Sequence, residues 1–328
     1  MPVRIVVVWN GKAGSAAGIS ADDVRARLER DTGAEVVIEP CSETRDPVAI
    51  ARAAVAGGAD VVVAAGGDGT VSSVAAEVVG TEANLGVLPL GTSNSFAAAM
   101  GIPGDVEGAL EVLGSNARRV IDVAVARSGA GERTMVLHCT VGFHADVIGE
   151  TSTDAKQRWG VLAYAATALR RLASVDTFAV ELTGAAHVIK CRASAIAAAN
   201  LAPIKTVLAH GPSHVLGDDG MLDVTIVAVE SIPEAIATGV HLWRRARGGE
   251  AADRDNIGSF AAASVAITAD PPQHVLIDGE PFGMTPVTLE TRPRALRVIA
   301  PPAPEAQAAD DAHLSGLPDL EISSTARS

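Results

Sequence analysis

Aromatic side chains are scarce in this chain, with Phe, Trp and Tyr together at 3 %. The interior therefore has to be assembled from Ala, Val, Leu and Ile. Cationic charge is also in deficit: 26 Lys and Arg stand against 39 Asp and Glu, a net charge of −13. That balance excludes a broad electropositive face for nucleic acid. It leaves room for a local basic patch at a membrane surface. There are only three cysteines (Cys41, Cys139 and Cys191), widely spaced and without metal-ligand spacing, so they read as buried thiols of a reducing compartment. The eight histidines, among them His138, His144, His210 and His214, show no ligand spacing either.

No uncharged apolar run approaches the ~20 residues of a membrane span. The apolar run from Ala193 to Ala199 is far too short. The start, Met1-Pro2-Val3-Arg4, leads directly into a strand pattern and is not read as a signal peptide. The expectation is a cytoplasmic protein, reaching any lipid as a peripheral protein at the inner membrane face. A homodimer is compatible with the sequence, which carries no marker of oligomeric state.

What is present is size and pattern. A chain of 328 residues, 48 % hydrophobic and 20 % charged, suits two modest domains with a sizeable core. Over its first part, short apolar runs alternate with helical patterns. Strands are predicted at Ile5–Val8, Glu35–Ile38, Val61–Ala65 and Leu85–Leu88, and helices at Ala21–Arg30, Pro47–Ala56 and Val71–Val79. That rhythm predicts a parallel sheet with helices on both faces. After Ile121 the texture changes to β-branched runs: 121–127, 134–141, 177–183, 188–198, 222–229 and 264–268. They predict a mainly antiparallel sandwich, interrupted by helices at 154–173 and 233–247. Both helices carry basic residues, Lys156, Arg158, Arg170 and Arg171 on one and Arg244, Arg245 and Arg247 on the other. Residues 301–328, rich in Pro, Ala and Asp, are predicted to be a disordered tail. The expected fold class is thus α/β plus β: a Rossmann-like three-layer nucleotide domain over 1–122, then a β-sandwich substrate domain over 123–294.

Two loops carry chemistry. Val61–Ala65 runs into Gly66-Gly67-Asp68-Gly69-Thr70, and Leu85–Leu88 runs into Pro89-Leu90-Gly91-Thr92-Ser93-Asn94-Ser95-Phe96. Glycines at a strand end let backbone N–H groups approach an anion closely. A carboxylate in such a loop suits a phosphate that arrives with Mg²⁺, or a substrate hydroxyl. In open parallel sheets ligands bind outside the strand C-termini, so both loops would flank one crevice. Further on, Asp278 and Glu280 sit two apart around Gly279. On an extended segment they would share one face and could hold Mg²⁺ or act as acid and base. An Asp-Gly hairpin turn is the alternative. Asp218-Asp219-Gly220 offers oxygen ligands for a hard cation or forms a solvated acidic turn.

Taken together, these segments resemble the diacylglycerol kinase catalytic domain family, which includes sphingosine and ceramide kinases and bacterial relatives. The resemblance rests on four motifs in order: Gly66–Thr70, Pro89–Phe96, Asp218–Asp223, and Asp278-Gly279-Glu280. Asn10–Ser15 looks like the family's first loop and Trp159–Tyr164 like its mid-chain helix. This chain departs from the family pattern at Gly11, at Ser72-Ser73, at Ser95 and over Asn200–Lys205, and Ser73 and Ser95 stand where carboxylates are common.

The resemblance implies an ATP- and Mg²⁺-dependent lipid kinase of phospholipid metabolism. Its acceptor would be a diacylglycerol-like lipid first and a sphingoid second. Also open are a kinase of a soluble alcohol, as in NAD kinases, and a non-catalytic nucleotide- or lipid-binding regulator. The implied phosphate cradle is Gly66, Gly67, Gly69, Thr70, Val71 and Ser72, with Gly91 and Thr92 opposite and Asn10 and Thr44 lining the site. The implied base is Glu280 with Asp278 assisting; Asp68, the proposed base in some relatives, is the competitor for that catalytic role and is read here in a Mg²⁺–water network. A structural Mg²⁺ is implied at the Asp219 carboxylate and the Leu216 and Met221 carbonyls. The last strand, 295–300, would return to the first domain.

Overall fold

The computed structural model describes residues 3–11, 18–115, 117–142, 177–202, 215, 217–248, 250, 254–303 and 312–325. The helix expected over 154–173, the Trp159–Tyr164 segment, Lys156, Arg158, Arg170, Arg171, His144, His210, His214 and Leu216 lie outside the described residues. The chain divides into two compact units: Met1–Val123 with Pro293–Ala306, and Ala124–Arg292 with Gln307–Ser328.

The first unit opens on β1 (Arg4–Trp9), α1 (Ala21–Thr32), β2 (Glu35–Pro40) and α2 (Pro47–Ala56). It continues through β3 (Val61–Gly66), α3 (Asp68–Val78), β4 (Asn84–Pro89), α4 (Ser95–Ala99) and α5 (Val106–Ser115). The four strands pair in parallel in the order β4-β3-β1-β2. Every residue of β3 and β4 is buried, as expected of parallel strands covered on both faces. Helices α2 and α3 pack together against β1 and β3, while α1 and α5 pack together against β2 and β4. Helix starts are set by small polar caps. Ser20 Oγ accepts the Asp23 N–H at 3.1 Å, and Asp46 Oδ1 accepts the Ala49 N–H at 2.8 Å ahead of Pro47. Helix α1 ends at Gly33, whose φ of 65° is the left-handed C-terminal stop.

The second unit is a pair of antiparallel sheets. Its strands are β5 (Arg118–Ser128, which starts in the first unit), β6 (Gly131–Met135), β7 (His138–Gly142), β8 (Phe178–Thr183), β9 (His187–Ala193), β10 (Ala195–Ala199) and β11 (Leu222–Val227). Helix α6 (Ile232–Gly248) follows, then β12 (Ile257–Ala262), β13 (Ser264–Asp270), β14 (His274–Ile277), β15 (Glu280–Met284), β16 (Val287–Ile299) and β17 (Glu321–Ser324). One sheet runs β17-β9-β8-β13-β16, with β5 pairing β16 and β6; the other runs β12-β11-β10-β7-β14-β15. Alternation fixes the inner face: Phe178, Val180 and Leu182 on β8 and Ile189, Cys191 and Ala193 on β9 point into a core shared with Ile196, Val224, Ile226, Val265 and Ile267. The last part of β16 belongs to the first unit, where Val298 pairs in parallel with Leu85 of β4.

Two strands expected as single runs are broken. The 134–141 run divides at Val136–Leu137, where the backbone N–H groups turn to a carboxylate described below. The 188–198 run divides at Ser194, where the chain passes from one sheet to the other. There the Ser194 hydroxyl donates to the Val227 carbonyl at 2.9 Å and accepts the Val229 N–H at 3.1 Å.

The expected disordered tail is corrected as well. Residues 312–325 form a strap on the second unit. His313 bridges Ser259 on β12, the Pro318 carbonyl accepts the Arg192 N–H, and β17 pairs antiparallel with β9. Leu317 is 5 % exposed and joins the core. A Cβ on Gly258 would stand 2.6 Å from Leu317 Cδ1, so a side chain there would force Leu317 to shift. One buried leucine plus backbone pairing outweighs a polar composition, which is why composition misreads the strap. Leu317→Ala should cost about 2–4 kcal/mol, read as a lower urea midpoint with an unchanged slope.

Burial also governs the thiols. It pushes Cys191 from an ordinary 9.0 up to about 11, and pushes Cys139 further up with help from the Asp278 charge. Cys41 is raised by partial burial and by Asp46. A raised thiol pKa means that the unfolded chain loses its proton first as pH rises. Stability should therefore fall between about pH 9 and pH 11. At pH 8 iodoacetamide should label Cys41 ahead of Cys139 and Cys191, which peptide mapping would check.

Candidate active site

In the first unit, the C-terminal ends of β1, β3 and β4 bring most of the predicted cradle together. Gly67 precedes α3 without any side-chain cap; the Thr70 and Val71 N–H groups donate to the Gly67 carbonyl, and no side chain caps the Asp68 and Gly69 amides against an anion. The two loops are latched to each other. The Leu90 N–H donates to the Gly66 carbonyl at 2.9 Å, and the Phe96 N–H donates to Asp68 Oδ1 at 3.1 Å. Backbones touch at the glycines: a Cβ on Gly91 would lie 2.5 Å from the Gly67 Cα, and one on Gly66 would lie 2.5 Å from Thr70 Oγ1. Asn10 Nδ2 donates to that same Thr70 hydroxyl at 3.1 Å, tying β1 to the loop. Thr44 and Thr92 are exposed, Thr44 in a turn closed between Ser42 and Arg45. Gly69 is exposed, Val71 is buried and Ser72 lies on the first turns of α3. Ser73, where the family often has an acid, donates to the Gly69 carbonyl at 2.8 Å.

Asn94 was not singled out from sequence, yet it shapes the second loop. It has a left-handed φ of 49°, which Asn tolerates better than most residues. It holds Gly91 at both ends: Oδ1 accepts the Gly91 N–H and Nδ2 donates to the Gly91 carbonyl, each at 2.9 Å. An Asn three residues after Gly in a strand-end loop was the signal available.

In the second unit, Asp278 and Gly279 form a two-residue turn between β14 and β15, with Ile277 paired to Glu280. Their φ values are 52° and 83°, the left-handed pair of a tight hairpin. The expectation of an extended segment with both carboxylates on one face is therefore corrected: the backbone reverses between them. Asp278 turns inward, 9 % exposed. Its Oδ1 accepts the N–H groups of Leu137 and His138 at 2.8 and 3.1 Å, and its Oδ2 accepts that of Val136 at 2.9 Å. Asn200 grips the same segment from its other side, donating from Nδ2 to the Val136 carbonyl at 3.0 Å. Glu280 is exposed and makes no ion pair or hydrogen bond through its carboxylate among the described residues. Arg133 steadies β15, donating to the Pro281 carbonyl at 3.2 Å and standing 5.0 Å over the Phe282 ring.

Asp219 lies in a turn before β11, exposed, with Oδ1 accepting the Met221 N–H at 2.9 Å. Among the described residues no group of three or more His, Cys, Asp or Glu gathers. An ion at this turn would be held by the Asp219 carboxylate, the Met221 carbonyl and water. That all-oxygen set fits Mg²⁺, which keeps several waters.

Comparison with known proteins gives the following. Residues 4–126 match the family model of the diacylglycerol kinase catalytic domain, and residues 138–300 match that of the YegS C-terminal NAD kinase beta sandwich-like domain. A Pseudomonas putida protein named "Probable lipid kinase YegS-like" is 32 % identical over 85 % of this chain and 91 % of its own length. An uncharacterized Synechocystis protein is 32 % identical over 74 % of this chain, which spans 55 % of that longer protein. The crystal structure of a Bacillus anthracis diacylglycerol kinase superposes with a TM-score of 0.67 at 18 % identity, covering 92 % of this chain and 97 % of that one. A second Bacillus anthracis structure gives 0.73 at 20 % identity, covering 92 % and 96 %. At these identities the structures speak to the fold.

Proposed function

The chain belongs to the diacylglycerol kinase catalytic domain family, with YegS-like lipid kinases among its relatives, and from that premise we propose that it transfers the γ-phosphate of ATP to the hydroxyl of a diacylglycerol-like lipid. The observation that carries the reading is the latched pair of glycine loops, where Gly67 and Gly91 meet backbone to backbone at an uncapped helix start. Only such a surface lets several N–H groups reach phosphate oxygens at once.

In this reading the open amides around Gly67, Asp68 and Gly69 hold the phosphates, with Gly91 and Thr92 on the other side and Asn10 setting Thr70. The hydroxyl oxygen of the acceptor forms a bond to the γ-phosphorus. The bond from that phosphorus to the β–γ bridging oxygen breaks, and ADP leaves with the electron pair. Glu280 takes the hydroxyl proton on its carboxylate. Asp278 assists by fixing the turn from which Glu280 projects. Mg²⁺ bound with the nucleotide supplies positive charge against the phosphate oxygens, and Asp68 would share its water shell. Asp219 and the Met221 carbonyl would hold a structural Mg²⁺.

The test is transfer of label from γ-labelled ATP into organic-extractable lipid. Wild type should label a diacylglycerol-like lipid, and Asp68→Ala should lose about 10²-fold or more. Equal labelling by both proteins would overturn the role of the loop. Labelling of a soluble alcohol and of no lipid would overturn the acceptor.

A further inference from the structure

Each backbone N–H of the second glycine loop has one proton to give. Pro89 has none. The Leu90 N–H donates to the Gly66 carbonyl at 2.9 Å. The Gly91 N–H donates to Asn94 Oδ1 at 2.9 Å, and the Gly91 carbonyl accepts from Asn94 Nδ2 at the same distance. Past the turn, the Phe96 N–H is held by Asp68 Oδ1 at 3.1 Å. Gly91 is therefore engaged at both of its polar backbone groups. Thr92 and Ser93 differ from it. Both are exposed, and neither makes a hydrogen bond through its N–H or its hydroxyl among the described residues.

Asn94 sets where these two residues stand. Its side chain closes a ring across Gly91-Thr92-Ser93-Asn94, so that an amide side chain does what a backbone bond does in an ordinary turn. Its φ of 49° turns the chain into α4. The same grip presses Gly91 onto the first loop: a Cβ on Gly91 would lie 2.5 Å from the Gly67 Cα and 2.9 Å from Asn94 Oδ1. The tip at Thr92-Ser93 thus begins one residue from the glycine contact at the start of α3, where no side chain caps the helix.

We propose that Ser93, together with Thr92, makes the second loop's hydrogen bonds to the nucleotide phosphates, and that Asn94 is the positioning residue that sets this tip by taking up both polar groups of Gly91. Gly91 then supplies close approach and no hydrogen bond. The inference rests on the phosphate cradle of the kinase reading and narrows it: on this side the phosphate oxygens meet amides and hydroxyls of the tip. A tip of this kind recognises phosphate and not the nucleoside.

Calorimetric titration of the full chain with MgATP and with adenosine, in the absence of lipid, tests it. Ser93→Ala should weaken ATP by about ten-fold, the loss of a hydrogen bond to a charged group, and leave adenosine within about two-fold. The Ser93 side chain is exposed, so the thermal midpoint should stay within about 1 °C of wild type. Asn94→Gly tolerates the left-handed φ and frees the Gly91 N–H. It should also weaken ATP by about ten-fold, through the disordered tip, and spare adenosine. Were the Gly91 N–H the phosphate donor, freeing it would leave ATP binding unchanged or tighter, and the proposal would fail. It fails too if Ser93→Ala binds ATP as wild type does, or if ATP and adenosine weaken together in both variants. A wild type that binds no MgATP would overturn it along with the kinase reading. A wild type that binds MgATP, with both variants impaired as expected, and yet transfers no phosphate would overturn the kinase reading alone.

Discussion

Glu280→Gln is expected to abolish phosphate transfer while leaving the fold intact. The side chain is exposed at the first residue of β15 and holds nothing else in place among the described residues. Removing it opens no cavity and strands no buried partner, so the thermal midpoint should stay within about 1 °C of wild type. The rate should fall by about 10²–10⁴-fold, the usual contribution of a general base. Nucleotide affinity, measured by calorimetry, should hardly change. An active Glu280→Gln enzyme would move the base elsewhere.

Asp278→Ala is expected to do the opposite, failing first as a folded protein. The carboxylate satisfies three buried backbone N–H groups, those of Val136, Leu137 and His138. Alanine would leave all of them without that acceptor, and its Cβ is also strained at a φ of 52°. Each buried unsatisfied donor costs about 1–3 kcal/mol. The total should be on the order of 3–5 kcal/mol, which lowers the midpoint by roughly 10 °C in a unit of this size. Differential scanning calorimetry would read it. A midpoint equal to that of Glu280→Gln would show that the clamp contributes little.

The difference between these two acids marks where the sequence stops being legible. Gly66–Thr70 and Pro89–Phe96 could be read directly, because the demand for glycine at a strand end is local. The buried runs of β3 and β4 were equally plain, since both faces are covered and no polar residue interrupts them. Asp278 could not be read, because its partners lie about 140 residues earlier in the chain. An Asp-Gly dipeptide signals a turn and not what the carboxylate holds. The breaks at Val136 and Ser194 share that cause, as each is imposed by a distant residue. The strap at 312–325 was hidden for another reason. Its stability rests on Leu317 filling the space above Gly258 and on edge pairing with β9, and neither leaves a periodic trace. Asn94 was passed over although an Asn follows Gly91 by three residues, because that spacing alone does not tell of its double grip on Gly91.

The most direct measurement is mass spectrometry of a lipid extract incubated with the protein, Mg²⁺ and ATP. The account predicts that one class of neutral lipid bearing a free hydroxyl gains a single phosphate, that ADP appears in equal amount, and that neither happens with Glu280→Gln. Tight ATP binding by the wild type with no lipid phosphorylated would contradict it.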